Sequence, residues 1–387
     1  MSNTTIEGLL VQKTGFFADA DRLVAYDSTA TVDANKTVYV TGATLKTNFE
    51  RKKTRVNPLD GLSLSASVDY ANGTKLFDSI SGSLKYIGGV LAPNGKIYCV
   101  PRNATQILVI DPTDNTTELF GSISGTNKYY GGVLAPNGKI YCVPFSGTQV
   151  LVIDPSDNTT SLFGSITGAI KYQGGVLAPN GKIYCIPREA TQILVIDPSD
   201  NTTALFGSIT GAVKYSGGVL APNGKIYCVP DNATQVLVID PTDNTTELFG
   251  SISGFTKYSG GVLAPNGNIY CIPRNATQIL VIDPSDNTTA LFGSISGTSK
   301  YIGGVLAPNG KIYCVPETAT QILVIDPTDN TTELFGSISG TSKYYGGVLA
   351  PNGKIYCVPL NATQVLVIPT SGDGENFWAL SAYVNKL

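Results

Sequence analysis

The sequence predicts an all-β protein: a seven-bladed β-propeller of four-stranded blades, its ring closed by an N-terminal strand, plus a small N-terminal module. Three observations predict it. The segment "KYIGGVLAPNGKIYCVP" beginning at Lys85 returns in close copies at Lys128, Lys171, Lys214, Lys257, Lys300 and Lys343, a spacing of 43 residues without insertion or deletion. Each copy holds four short β-compatible runs separated by turn residues, the make-up of a propeller blade. The ends of the array also complement each other. The last copy stops after its third run, at Ile368, while an orphan fourth run, "TKLFDSISGSLKY" (74–86), precedes the first copy. A ring uses that exchange; a linear solenoid does not.

Within a repeat, strand A ("KYIGGVL") carries paired glycines, which suit an innermost strand crowded around a central channel. Asn-Gly in "APNG" predicts a type I′ turn, with positive φ at both central residues, leading into strand B ("KIYCVP"). Strand C ("TQILVIDP") has an unbroken apolar centre and reads as buried on both faces. "DPTDNTT" or "DPSDNTT" follows, in which Pro fixes φ while Asp and Asn bond back to their own backbone. Strand D ("TELFGSIS") alternates as an outer strand does.

The "GGVLAPNGKIY" and "VLVIDP" segments resemble β-propeller repeats of the kelch, NHL and surface-layer kind, over Thr74 to Ile368. The resemblance implies the fold and no particular chemistry. Residues 1–66 lack the repeat and read as short strands, then a short helix over about 41–52. Their segment "VYVTGATLKTNF" resembles N-terminal segments of tailed-bacteriophage fibre and virion-appendage proteins, which implies a docking module. The expected organisation is an anchoring module at 1–66, the propeller at 67–369, and a C-terminal tail at 370–387, with the single tryptophan Trp378, packing on the body.

Composition narrows the function. The chain of 387 residues is 42% hydrophobic, so it can bury a large core, and only 14% charged with net charge −3. No basic patch stands out, so nucleic acid is not an expected partner. No apolar run approaches the ~18–20 residues of a membrane span, and the first residues do not read as a secretory signal. The seven cysteines, Cys99, Cys142, Cys185, Cys228, Cys271, Cys314 and Cys357, fall one to a repeat. Equivalent positions in neighbouring sheets lie about 10 Å apart, beyond disulfide reach, so they are expected as small buried apolar residues that stay reduced. With no histidine and no clustered ligands, neither zinc, nor a cofactor, nor a Ser-His-Asp or Cys-His centre is expected. The repeated carboxylates, from Asp111 and Asp114 to Asp326 and Asp329, read as turn caps, with weak calcium binding as the alternative. The chain is therefore expected not to be an enzyme.

Comparison of the copies locates a candidate site. The A–B and C–D turns barely change, whereas the B–C loops and D–A connections do, and these emerge together on one face. That face carries an unchanging Lys-Tyr in every copy: Lys85 and Tyr86, Lys128 and Tyr129, Lys171 and Tyr172, Lys214 and Tyr215, Lys257 and Tyr258, Lys300 and Tyr301, Lys343 and Tyr344. These pairs read as cations and aromatic platforms for sugars or an anionic polymer, or as rim lysines with tyrosines packed between blades. Tyr130, Tyr345 and Phe145 add aromatic surface, and Arg102, Arg188 and Arg274 add donors. The expected function is a virion structural protein, assembled in the host cytoplasm. Residues 1–66 would hold it to other virion proteins, and its propeller would bind a host surface glycan or protein. The alternative is a cellular lectin or interaction scaffold.

Overall fold

Seven four-stranded sheets stand around a central channel, each running A-B-C-D from the inside outward. The computed structural model describes residues 74–370 together with the strands Arg22–Ala25 and Val38–Thr41. Those two strands pair antiparallel, Arg22 opposite Thr41 and Ala25 opposite Val38, as the short strands expected there should. The helix expected over 41–52 lies outside the described residues, except for Thr41, which ends the second strand. The tail beyond Thr370 also lies outside them. No helix occurs among the described residues.

In blade 1 the strands are Tyr86–Leu91, Ile97–Pro101, Ile107–Asp111 and Thr116–Phe120. The A–B turn is not the type I′ turn that Asn-Gly suggests. Pro93 occupies its first central position and holds φ near −65°, so the chain makes an Ala92–Gly95 turn (Gly95 N–H to Ala92 C=O, 3.0 Å) and only Gly95 adopts positive φ, +79°. In the C–D turn Asn115 takes the left-handed conformation, φ 59°, and its N–H reaches the Asp111 carbonyl at 3.0 Å.

The core lies between blades. Strand B is buried on both faces: Tyr98 and Val100 pack towards blade 2 with Tyr129, Ile140, Cys142 and Leu151, while Ile97 and Cys99 pack towards blade 7 with Tyr356 and Val358. Strand C is likewise fully buried, from Ile107 to Ile110. All seven cysteines are free and buried, and burial pushes each thiol well above its ordinary pKa. They are inert packing atoms, as their even spacing suggests. Strand D is the exposed edge, with one half-exposed leucine in each blade, from Leu76 and Leu119 to Leu334.

The last blade is completed from the far end of the chain. Its strands Tyr344–Leu349, Ile355–Pro359 and Val365–Ile368 are followed in the sheet by Lys75–Phe77, with Lys75 opposite Val367 and Phe77 opposite Val365. At this seam Asp78 stands where the other blades have glycine. It keeps the positive φ, 64°, and its carboxylate accepts hydrogen bonds from the Ser79 N–H and the Thr117 hydroxyl of blade 1.

Removal of residues 74–77 should leave Val365–Ile368 as an open apolar edge. The expected outcome is a lower melting temperature with dimers or aggregates in size-exclusion chromatography. A truncated chain that stays monomeric and melts as the parent does would refute closure by this strand.

Candidate functional site

Two faces of the ring are held together by different chemistry. On the face of the A–B and C–D turns, Asn94 and Tyr98 of blade 1 reach into the C–D turn of blade 2. The Tyr98 hydroxyl donates to Asn158 Oδ1 at 2.8 Å, and Asn94 Nδ2 donates to the Pro155 carbonyl at 3.1 Å. The same latch joins the following pairs except blades 6 and 7, ending with Asn352 and Tyr356 of blade 7 on Pro112 and Asn115 of blade 1. Where "DPTDNTT" is missing in blade 7, Tyr313 bonds the Thr370 carbonyl instead, at 2.9 Å.

The turn carboxylates serve this frame. Asp111 Oδ1 accepts the Thr113 N–H and hydroxyl, Asp114 Oδ1 accepts those of Thr116, and Asp111 Oδ2 pairs with Lys96 at 3.2 Å. These bonds account for both acids of the repeat as turn caps. No group of three or more metal-ligating side chains occurs among the described residues.

On the opposite face the lysines repeated in every copy point inward. Lys128 Nζ donates to the Gly125 carbonyl of its own connection and to the Ala104 carbonyl of the preceding blade, at 2.9 and 2.8 Å. Lys85, Lys171, Lys257, Lys300 and Lys343 make the same two bonds, and Lys214 keeps the one to Gly211. All seven are 3–4% exposed, and burial lowers each ammonium pKa. Tyr86, Tyr129, Tyr172, Tyr215, Tyr258, Tyr301 and Tyr344 sit in the cores between blades, their phenols raised by burial. The Lys-Tyr ring is thus not a display of cations and platforms. It is a second set of latches between blades, which is why it does not vary.

The variable residues converge on the axis. The residue after each Lys-Tyr and the first residue of each B–C loop together fill the channel mouth asymmetrically. Ile87, Tyr130, Phe145, Ile302, Tyr345 and Leu360 form an apolar cluster, in which the Tyr130 and Phe145 rings lie 4.9 Å apart and Tyr130 meets Tyr345 edge-on. The remaining positions are polar. Arg274 grips Glu317 through two bonds of 2.9 and 3.0 Å, Arg188 reaches Asp231 at 3.2 Å and also donates to Gln173, and Gln173 bonds the Tyr345 hydroxyl at 3.0 Å. Asp231 is 2% exposed; burial raises its carboxyl pKa against the pull of Arg188, Arg274 and Lys257. Its Oδ1 and the Arg188 Nε are the buried side-chain atoms without a partner among the described residues. A cavity of about 140 Å³ lies on the axis, lined by strand-A glycines and by Ile87, Tyr130, Gln173, Ser216, Ser259, Ile302 and Tyr345.

Three corrections follow for the expected site residues. Tyr130, Tyr345 and Phe145, at 7–9% exposure, plug the channel instead of offering contact area. Arg188 and Arg274 are turned to acids of the next blade, and Arg102 to the Asn127 side chain at 2.9 Å. The residues the sequence reading passed over are Gln173, Ser216, Ser259, Asp231 and Glu317. Their signal was available: Arg188 and Asp231, like Arg274 and Glu317, are opposite charges at one repeat position in successive copies. What remains exposed is the loop tips. In three of them a β-branched residue, Ile170, Val213 or Thr256, takes positive φ of 50–55°, a conformation costing about 1–2 kcal/mol. Phe255, beside Thr256, is 79% exposed.

No protein-family model matches the chain, and no curated protein matches it. Solved structures do. A streptogramin B lyase superposes with a TM-score of 0.67 at 13% identity, covering 76% of this chain and 96% of that one. The virginiamycin B lyase of Staphylococcus aureus gives 0.67 at 12% identity, over 76% and 98%. The extracellular domain of a one-component system from B. thetaiotaomicron gives 0.58 at 9% identity, over 78% and 42%. At these identities the likeness conveys the propeller frame alone. It nevertheless overturns the expectation that this chain is not an enzyme, because lyases stand on the same frame and the fold gives no ground for that exclusion.

The latch reading of the lysines can be tested with Lys128→Met, which keeps the apolar stem and removes the donor for two carbonyls. It should cost about 1–3 kcal/mol of stability in chemical denaturation. An unchanged midpoint would show that the ammonium is not a structural group.

A second test uses acid. Hydrogen bonds from Ser156 and Ser199, with the paired Lys139 and Lys182, hold the Asp154 and Asp197 carboxyls at about 2, below the ordinary 3.8. Since the folded value is the lower, their stabilisation is complete above pH 3.8 and is lost as pH falls towards 2. Asp154→Asn with Asp197→Asn should lower stability at pH 7 by roughly 0.5–1 kcal/mol, because solvent screens both groups. It should also flatten the fall in melting temperature between about pH 4 and 2. An equally steep fall in the variant would refute the assignment.

Proposed function

We propose that this chain is a structural protein of a tailed-bacteriophage particle, a fibre, knob or capsid appendage assembled in the host cytoplasm. Residues 1–66 dock it onto other virion proteins, and the propeller presents the face of its B–C and D–A loops to a host surface glycan or protein. The observation that carries this reading is the division between the faces. One face repeats the same latch around the ring, while the other changes from blade to blade on an unchanged frame. Packing of the channel mouth accounts for the inner part of that variation. The loop tips, with Phe255 and Ile170 exposed, are the part left for recognition. The resemblance of residues 38–49 to phage fibre segments supports the docking role, although those residues beyond Thr41 lie outside the described structure.

Purified full-length chain should compete with particles for adsorption to host cells. A variant carrying Lys in place of Asp114, Asp157 and Asp200, all on the latched face, should compete within twofold of the parent. Particles assembled with a chain lacking residues 1–66 should carry no propeller. Failure of the parent chain to compete at any concentration, or retention of the propeller without residues 1–66, would refute the proposal.

A further inference from the structure

The loop face is not uniform, and its interior changes character from one side of the axis to the other. Where blades 7, 1 and 2 meet the axis the interior is apolar, with Leu360, Ile87, Tyr130 and Phe145. The D–A tips there are Thr126 with Asn127, leading into blade 2, and Ser83 with Leu84, leading into blade 1, where Leu84 packs half-buried against the same cluster. Around blades 3 to 5 the interior is polar and charged, whereas the tips carry the apolar residues Ala169, Ile170, Ala212, Val213 and Phe255. Ile170, Val213 and Thr256 hold the left-handed conformation in this sector, and Leu84, Asn127, Ser299 and Ser342 hold it elsewhere. Of these tip residues Phe255 is 79% and Ile170 39% exposed, and large apolar side chains held in water on a hydrogen-bonded loop are available for contact.

The geometry points to a saccharide-binding patch over blades 3 to 5, with Phe255 as the platform for a sugar ring. The Phe255 loop is wedged between two B–C loops: the Thr256 N–H reaches Asn232 Oδ1 at 2.7 Å, the Lys257 N–H the Asp231 carbonyl at 3.1 Å, and the Asn275 N–H the Thr256 carbonyl at 3.2 Å. An exposed ring is thereby held on a fixed backbone among half-buried Asn232, Arg274 and Asn275. A planar apolar face on a loop flanked by the amides of Asn232 and Asn275 matches a pyranose, which has a C–H face and hydroxyls that both donate and accept. A protein partner fits less well, because a stable interface covers about 800 Å² on each side, while one aromatic ring contributes about 150–250 Å². An anionic polymer is disfavoured, since Arg188 and Arg274 are held by Asp231 and Glu317 and the ammonium groups of Lys171, Lys214 and Lys257 are buried on backbone carbonyls.

This inference rests on the loop face being the receptor-facing one, so the test separates the two. Full-length chain, Phe255→Ser, Phe255→Tyr, Ile170→Ser and the control Thr126→Ala are each applied to an array of bacterial envelope oligosaccharides and to an envelope protein fraction, after their melting temperatures are matched. Phe255→Ser should lower saccharide binding at least tenfold and Ile170→Ser severalfold, while Phe255→Tyr and Thr126→Ala stay within twofold. Saccharide binding untouched by Phe255→Ser and Ile170→Ser overturns the patch. A parent that binds the protein fraction and no saccharide overturns the sugar while leaving the loop face standing. A parent that binds neither, and does not compete with particles, removes the receptor reading itself.

Discussion

Seven sheets can share one axis only if their innermost strands carry almost nothing where they meet, and this steric limit governs the rest of the molecule. A Cβ on Gly88 would stand 3.2 Å from the Cα of Gly131, and so on around the ring until Gly346, whose Cβ would stand 3.4 Å from the Cα of Gly88. The neighbouring glycine is no freer: a Cβ on Gly132 would meet the Val100 side chain of blade 1 at 2.9 Å. The first glycine of each pair, from Gly88 to Gly346, holds φ near +80°, a conformation glycine adopts without penalty, and the bulge at the pair turns the preceding residue towards the channel. The plug residues, the cavity and the inward lysines all take their places from that close approach.

The frame obeys sevenfold repetition and the plug breaks it. Latches such as Tyr98 with Asn158 recur at six of the seven junctions because each junction is the same problem. The channel mouth is one shared volume instead, and seven copies of any large side chain would collide in it. Large and small, charged and neutral residues must therefore be distributed over the copies, as Tyr345 does by meeting Tyr130 and Gln173 across the axis. The consequence for function is that variation between repeats has two sources, packing at the axis and recognition at the tips.

The blade boundaries, the ring closure by Lys75–Phe77 and the burial of the cysteines were legible because each depends on local pattern or on counting. The A–B turn was misread because Asn-Gly was weighed without the proline ahead of it. The site was harder. An invariant Lys-Tyr looks like a repeated binding group until its ammonium is seen on the Gly125 and Ala104 carbonyls, and a single sequence does not distinguish a cation facing water from one facing backbone. Phe255 was overlooked for a related reason: its exposure depends on the left-handed turn at Thr256, which propensity alone argues against.

The seam has a mechanical meaning. Tension on the chain ahead of Lys75 enters the ring through a three-residue ladder against Val365–Val367 before it reaches any other blade. Pulled along its own length, that strand must shear its hydrogen bonds together instead of peeling them one by one. The Asp78 carboxylate on Thr117 spreads part of the load into blade 1. Of the seven sheets, this one alone is built from both ends of the ring, so it is the joint where the circle is cut.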